Sequence, residues 1–249
     1  MTTWQTVHVR VNDASTGKPI PVRISFQNGE RFFAPFGRKT DFPVESGEDV
    51  GAHLLSGTQR YSWIGGTCEI RLPSGEIDIE VTRGPEYSPL STRVTLKPGQ
   101  LAIRLSLERW IDLRPTGWVS GDTHALELSP HAALLEGAGE DLSFVNFLAT
   151  SESMGNIDAV SAPVPTLEKD DCQVIVNTRN GHAVLGTLGL LCSHRAVYPL
   201  RFGGEDGDGW SLQDWCEQCH RKKGLVVWSD LGESRLESEA LANAISGQI

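Results

Sequence analysis

Gly117-Trp-Val-Ser-Gly-Asp-Thr-His124 reads as a strand running into a polar tip, and the segments after it decide the fold class of the second half. Pro130 to Glu140 has helical composition, with proline in the first turn and Ser129 placed to cap it. Phe144-Val-Asn-Phe-Leu148 is an apolar run of strand length. Together they form a β-α-β unit. Further on, residues 150 to 171 are loop-like, and Cys172 to Val176 and Ala183 to Cys192 read as apolar strands. Leu212 to Lys223 is amphipathic, and Gly224 breaks it before Leu225-Val-Val-Trp228. The alternation predicts an α/β second half with mainly parallel pairing.

Upstream the texture is different. Thr6-Val-His-Val-Arg-Val11 alternates with period two, Thr16-Gly-Lys-Pro19 is turn chemistry, and Ile20 to Phe26 alternates again, which predicts a hairpin. Cys68-Glu-Ile-Arg-Leu72, a Pro73-Ser-Gly75 turn, Ile77-Asp-Ile-Glu-Val81 and Leu101-Ala-Ile-Arg-Leu-Ser-Leu107 repeat the pattern. Short alternating strands of this kind fit an antiparallel β-sandwich. Gln27 to Tyr61 carries Gly, Pro, Phe and charge without a period and is expected to be long loops. The expected division is therefore residues 1–112 as sandwich and 113–249 as the α/β domain.

Composition narrows the function classes. The 249 residues carry 22 Lys+Arg against 32 Asp+Glu, a formal charge of −10, so a phosphate backbone would meet a repulsive field and nucleic acid is a poor partner. No stretch reaches the roughly 18 apolar residues of a membrane span. Residues 1–10 alternate instead of forming a basic region and an apolar core, which speaks against a signal peptide and for a cytoplasmic protein. Five cysteines without framework spacing are expected to be free thiols.

Asp122 and His124 are the first candidates for chemistry, because strand ends in α/β folds converge on one crevice. The competing reading is that Asp122 caps a turn. Taken together, Gly117 to His124, Ser129-Pro-His-Ala-Ala-Leu-Leu-Glu-Gly137 and Glu140-Asp-Leu-Ser-Phe-Val-Asn146 resemble the start of the PHP (polymerase and histidinol phosphatase) domain, in its CehA/McbA-type metallohydrolase branch. Val11-Asn-Asp-Ala-Ser-Thr-Gly-Lys-Pro-Ile-Pro21 and Gly84-Pro-Glu-Tyr87 resemble the carboxypeptidase-regulatory-like or transthyretin-like sandwich that precedes the hydrolase in that branch. Gly181-His182 and Gly224-Leu-Val-Val-Trp-Ser-Asp230 resemble later ligand-bearing positions.

The resemblance implies a distorted (β/α) barrel binding Mn, Zn or Mg. Asp122, His124, His182 and Asp230 would be the ligands, Asp122 and His124 would be catalytic, and a metal-bound hydroxide would attack an ester or phosphoester. The chain departs from that pattern in three ways. The family's His-x-His is here His124-Ala-Leu126, and leucine cannot coordinate. Ser229-Asp230 stands where a His-Pro-type pair is usual. Gly117 to Ile249 is far shorter than the roughly 250 residues of a closed eight-unit barrel, so an incomplete barrel is expected, with a homo-oligomer as one way to cover its open edge.

Cys216-Glu-Gln-Cys219-His220 matches the attachment pattern of c-type haem, yet it falls within the amphipathic helix and is read as ordinary helix residues, with no haem. His131 is expected to face water, and His8, His53 and His194 to be surface or structural. Glu140-Asp141 is read as capping and solvation. Trp63, Trp110, Trp118, Trp210, Trp215 and Trp228 are read as core or junction residues. Two functions follow: a PHP-like metal-dependent hydrolase or degenerate relative of one, and a non-catalytic scaffold whose sandwich contacts a glycan or protein.

Overall fold

The computed structural model describes residues 3–29, 31–35, 53–56, 59–126, 128–151, 166–169, 171–203, 209–228 and 238–249. The chain is mostly β, 49% strand with three short helices among the described residues. In the first part the strands are β1 (Trp4–Asp13), β2 (Val22–Asn28), β3 (Arg31–Phe32), β4 (His53–Ser56), β5 (Gln59–Ile64), β6 (Thr67–Pro73), β7 (Gly75–Thr82), β8 (Leu90–Leu96) and β9 (Ala102–Leu107). A 3₁₀ turn at Arg114–Thr116 follows. Next come β10 (Gly121–Ala125), α1 (Pro130–Gly139), β11 (Phe144–Ala149), β12 (Thr166–Lys169), β13 (Cys172–His182), β14 (Gly186–Leu191), β15 (Arg201–Phe202), α2 (Leu212–Arg221), β16 (Leu225–Trp228) and α3 (Ser238–Ile245).

Two compact units divide the chain. The first holds Met1–Gly121, His131–Phe144 and Glu168–Cys172; the second holds Asp122–Pro130, Val145–Leu167 and Gln173–Ile249. They interleave in sequence where a single boundary at 112/113 was expected. Helix α1 belongs to the first unit, because its C-terminal end is built into the sandwich. Gly84 lies so close to that end that a Cβ would sit 2.3 Å from the Glu140 carbonyl oxygen, and one on Gly139 would meet Trp63 at 2.5 Å.

In the first unit, alternation on β1 buries Val7, Val9 and Val11 completely. β1 is the middle of a three-stranded sheet, antiparallel to β6 (Val7 opposite Ile70) and parallel to β9 (Val11 opposite Leu105). The six-stranded sheet runs β4-β5-β2-β7-β8 with β3 on β2. Val22, Ile24 and Phe26 of β2 join Ile77, Ile79 and Val81 of β7 in the same core. The expected hairpin between residues 6–11 and 20–26 is corrected here. Their strands lie in different sheets and share only the bridge between Asn12 and Pro19. Both alternating faces are apolar enough to line opposite walls of the core, so the turn carries the chain from one sheet to the other. Pro73-Ser-Gly75 does the same between β6 and β7. The stretch expected to be long loops supplies β3, β4 and the start of β5, while residues 36–52 lie outside the described residues.

In the second unit the sheet order is β10-β11-β13-β14-β16, with β12 and β15 pairing β13. Parallel pairing does not extend over the last strands: β13 with β14 and β14 with β16 are antiparallel, and the two-residue β15 pairs β13 in parallel. A turn of three residues joins β13 to β14, too short for the crossover that parallel strands need. Helix α2 lays Leu212, Trp215, Cys216 and Cys219 on Leu188, Leu190 and Val226. The α/β expectation therefore holds only as strands with a covering helix.

Candidate functional site

On β10, period-two geometry turns Asp122 and His124 to the same side, and both are exposed. The Asp122 carboxylate is tied locally, its Oδ1 accepting the His124 backbone N–H at 2.8 Å. At the end of β13, His182 Nδ1 accepts two backbone N–H groups, from Val184 and Leu185, each at 3.1 Å. That bond pattern leaves the ring proton on Nε2. The ring lies against Gly203, at φ +92°, where a Cβ would be 2.7 Å from Cε1. His182 is thus a cap for the turn between β13 and β14.

His182 does not fit the expected metal. A ligating imidazole offers one nitrogen's lone pair to the ion and donates through the other; in His182 the lone-pair nitrogen is already taken by the backbone. Among the described residues no three His, Cys, Asp or Glu side chains gather closely enough to hold an ion. Asp230 lies outside the described residues.

Other sequence candidates have structural partners. Glu140 accepts the Trp63 indole N–H at 3.0 Å and pairs with Arg23 at 3.3 Å. His131 is exposed in the first turn of α1, and His194 Nδ1 lies 2.8 Å from the Lys222 carbonyl. Cys216 and Cys219 are fully buried beneath α2, and burial pushes their thiols up to about 12 and about 11, away from reactive thiolate. The tryptophan expectation needs correction at two positions: Trp110 is 63% exposed and Trp118 71%.

The sequence reading missed a polar cavity of about 600 Å³ within the first unit. Its centre is Asp141, which leaves α1 at φ +58° with a side chain only 3% exposed. Three guanidiniums converge on that carboxylate: Arg83 and Arg114 on Oδ1 at 2.8 and 2.9 Å, Arg109 on Oδ2 at 2.9 Å. Arg109 also pairs with Glu86, and Arg114 with Asp171. Tyr87 lies between two of them, its ring centroid 4.4 Å from the Arg109 guanidinium and 5.3 Å from that of Arg83. Its hydroxyl donates to Asp13 Oδ2 and accepts from Arg109, both at 3.1 Å. Burial alone would raise the Asp13 pKa, but hydrogen bonds from Ser15, Thr16 and Tyr87 outweigh it and hold the carboxyl at about 2. Cations and anions are interleaved in this wall, a surface suited to a neutral, hydroxyl-rich molecule. The exposed Trp110 follows Arg109 in the chain and donates its indole N–H to the Pro85 carbonyl at 2.8 Å.

No protein-family model, curated protein or solved structure matches the chain. The second unit has a smaller pocket of about 200 Å³ beside His182, bordered by Arg179 and Arg201. Arg179 sits in the Asn177-Thr-Arg-Asn180 stretch, and only strand register relates it to Arg201.

Proposed function

We propose that this chain is a degenerate relative of the CehA/McbA-type PHP metallohydrolases that acts as a binding protein, with a carbohydrate as the ligand of its sandwich unit. The observation that carries the reading is the cavity around Asp13, Tyr87, Arg109 and Asp141, with the exposed Trp110 next to Arg109 in the chain. Carboxylates and guanidiniums in fixed positions pair with sugar hydroxyls, and an indole face packs on the apolar face of a pyranose. The strand-helix-strand order of β10, α1 and β11 along the chain supports a PHP-like ancestry, although α1 itself packs in the first unit. The turn-capping role of His182, together with Leu126, supports loss of the hydrolytic site.

The hydrolase reading keeps one specific observation in its favour, the shared exposed face of Asp122 and His124. One pair of measurements separates the two. Glycan-array screening followed by titration calorimetry is expected to find an oligosaccharide whose affinity falls about tenfold in Trp110→Ala, the loss of one stacking contact of about 1 to 1.5 kcal/mol. Metal analysis of protein purified without chelator is expected to give equal, near-zero content in wild type and His124→Ala. Stoichiometric metal lost in His124→Ala, with Mn-, Zn- or Mg-dependent ester or phosphoester turnover lost alongside it, would overturn the proposal.

A further inference from the structure

Strand β1 carries an outward row of Trp4, Thr6, His8, Arg10 and Asn12, because Val7, Val9 and Val11 take the alternate positions into the core. Register extends that row over both neighbours in the three-stranded sheet. Arg71 of β6 lies opposite Thr6 and Glu69 opposite His8, while Arg104 of β9 lies beside Arg10 and Ser106 beside Asn12. Residues in register share a face of the sheet, and Arg71, Glu69, Arg104 and Ser106 are all exposed. In a chain of net charge −10, this open face sets Arg10, Arg71 and Arg104 against the single carboxylate of Glu69 among the described residues.

Two clusters on this face are ready for anions. Arg10 and Arg104 are cross-strand partners, about 5 Å apart at the backbone, and like charges so placed repel each other unless an anion lies between them. The Arg10 Nε–H donates to Asn12 Oδ1 at 2.8 Å, which steadies the guanidinium and leaves its terminal nitrogens as donors. At the other end Trp4 gathers Arg31 and Arg71, whose guanidiniums lie 4.9 and 5.8 Å from its ring centroid. Stacking fixes a guanidinium and keeps its N–H edge for an anion. Among the described residues no carboxylate pairs with any of these four arginines. Arg71 is level with Thr6, so the clusters stand about 13 Å apart along β1, at about 3.3 Å per residue. Thr6, His8 and Thr67 lie among them, with groups that exchange hydrogen bonds with hydroxyls.

We infer that this face of the sandwich unit binds a sulfated polysaccharide, laid along β1 from Trp4 to Asn12. A linear chain of this kind brings an anionic group to each cluster and sugar hydroxyls to the residues among them. A sulfate ester has enough terminal oxygens for Arg10 and Arg104 to meet on one group from two strands, whereas one guanidinium fork already takes both oxygens of a carboxylate. Nucleic acid suits the face less well. The Trp4 ring already carries two arginines, so it offers no bare aromatic for base stacking, and the acidic remainder of the chain repels a long phosphate polymer. None of these residues borders the carbohydrate cavity, and the inference stands or falls independently of that site.

Titration calorimetry of the full chain with dextran sulfate, dextran, polygalacturonate and oligothymidylate tests the inference, alongside Arg71→Gln and Arg104→Gln. Arg93→Gln, which removes an exposed arginine of β8 in the other sheet, controls for bulk charge. Dextran sulfate is expected to bind the wild type and Arg93→Gln alike and to weaken about tenfold in Arg71→Gln and in Arg104→Gln, each losing one charge-assisted contact. The other three polymers are expected to bind far more weakly. Absence of dextran sulfate binding, unchanged binding in Arg71→Gln and Arg104→Gln, or an equal loss in Arg93→Gln overturns the inference. Polygalacturonate matching dextran sulfate would overturn it in favour of a uronate chain, and oligothymidylate matching it in favour of nucleic acid. Should a variant fold poorly, phenylglyoxal labelling of the wild type decides it: dextran sulfate shields Arg10, Arg71 and Arg104 from modification, or the inference is wrong.

Discussion

Glu136 shows how a single side chain can work against its own fold. It sits in α1 with Oε1 buried and lacking a hydrogen-bond partner among the described residues, and burial, reinforced by the charge on Glu140, pushes its carboxyl up to about 7. The folded chain keeps this proton up to about pH 7, whereas the unfolded chain releases it near 4.5, so stability falls as pH rises between those values. Glu136→Gln is expected to be more stable than wild type by about 2 kcal/mol at pH 8 and to match it at pH 4.5. Melting curves at the two pH values measure this, and an equal gain at both would show that ionisation is not the cause. Asp13 has the opposite sign. Its contribution is present above the ordinary carboxylate range and is lost as pH falls toward 2. Neither behaviour is legible in sequence, since Glu136 reads there as one more helix former.

Helix α2 was legible because its signals are local. Ser211 accepts the Asp214 N–H and Asp214 accepts the Ser211 N–H, a capping box visible as Ser-x-x-Asp, and the apolar spacing of Leu212, Trp215, Cys216 and Cys219 marks the buried face. Its end was read less well. The left-handed residue is Lys223, at φ +61°, and Gly224 is needed for room, because a Cβ there would sit 2.6 Å from Cys219 Sγ. Ser211→Ala is expected to cost about 1 kcal/mol in denaturant melts, with the native circular dichroism spectrum kept; no measurable change would mean that packing of Trp215 alone holds the helix. Strand β8 went unread. Ser91, Arg93 and Thr95 are polar and exposed, Leu90, Thr92 and Val94 are only half-buried, and pairing with the neighbouring β7 makes Leu90–Leu96 a strand.

Across the chain, the feature with the widest reach is Asp141. It sits beyond the strand-based half of the sequence yet collects Arg83, Arg109 and Arg114 from three separate segments of the sandwich unit. Asp141→Asn keeps the shape and the tolerance for positive φ while removing the charge, leaving three guanidiniums around a neutral amide. It is expected to cost about 3 kcal/mol in urea unfolding, the scale for breaking a buried ion pair; a change under about 1 kcal/mol would mean the arginines are balanced by Glu86 and Asp171 instead. Local patterning of the chain sufficed to mark the strands around residues 6–11, 68–72, 77–81 and 101–107 and the helices at Pro130 and Leu212, because period and capping are written into neighbouring residues. Sheet membership, the interleaved units and the triple-arginine centre came from the folded chain alone. They depend on which distant segments meet and in what register, and hydrophobic burial, being non-directional, leaves that to packing.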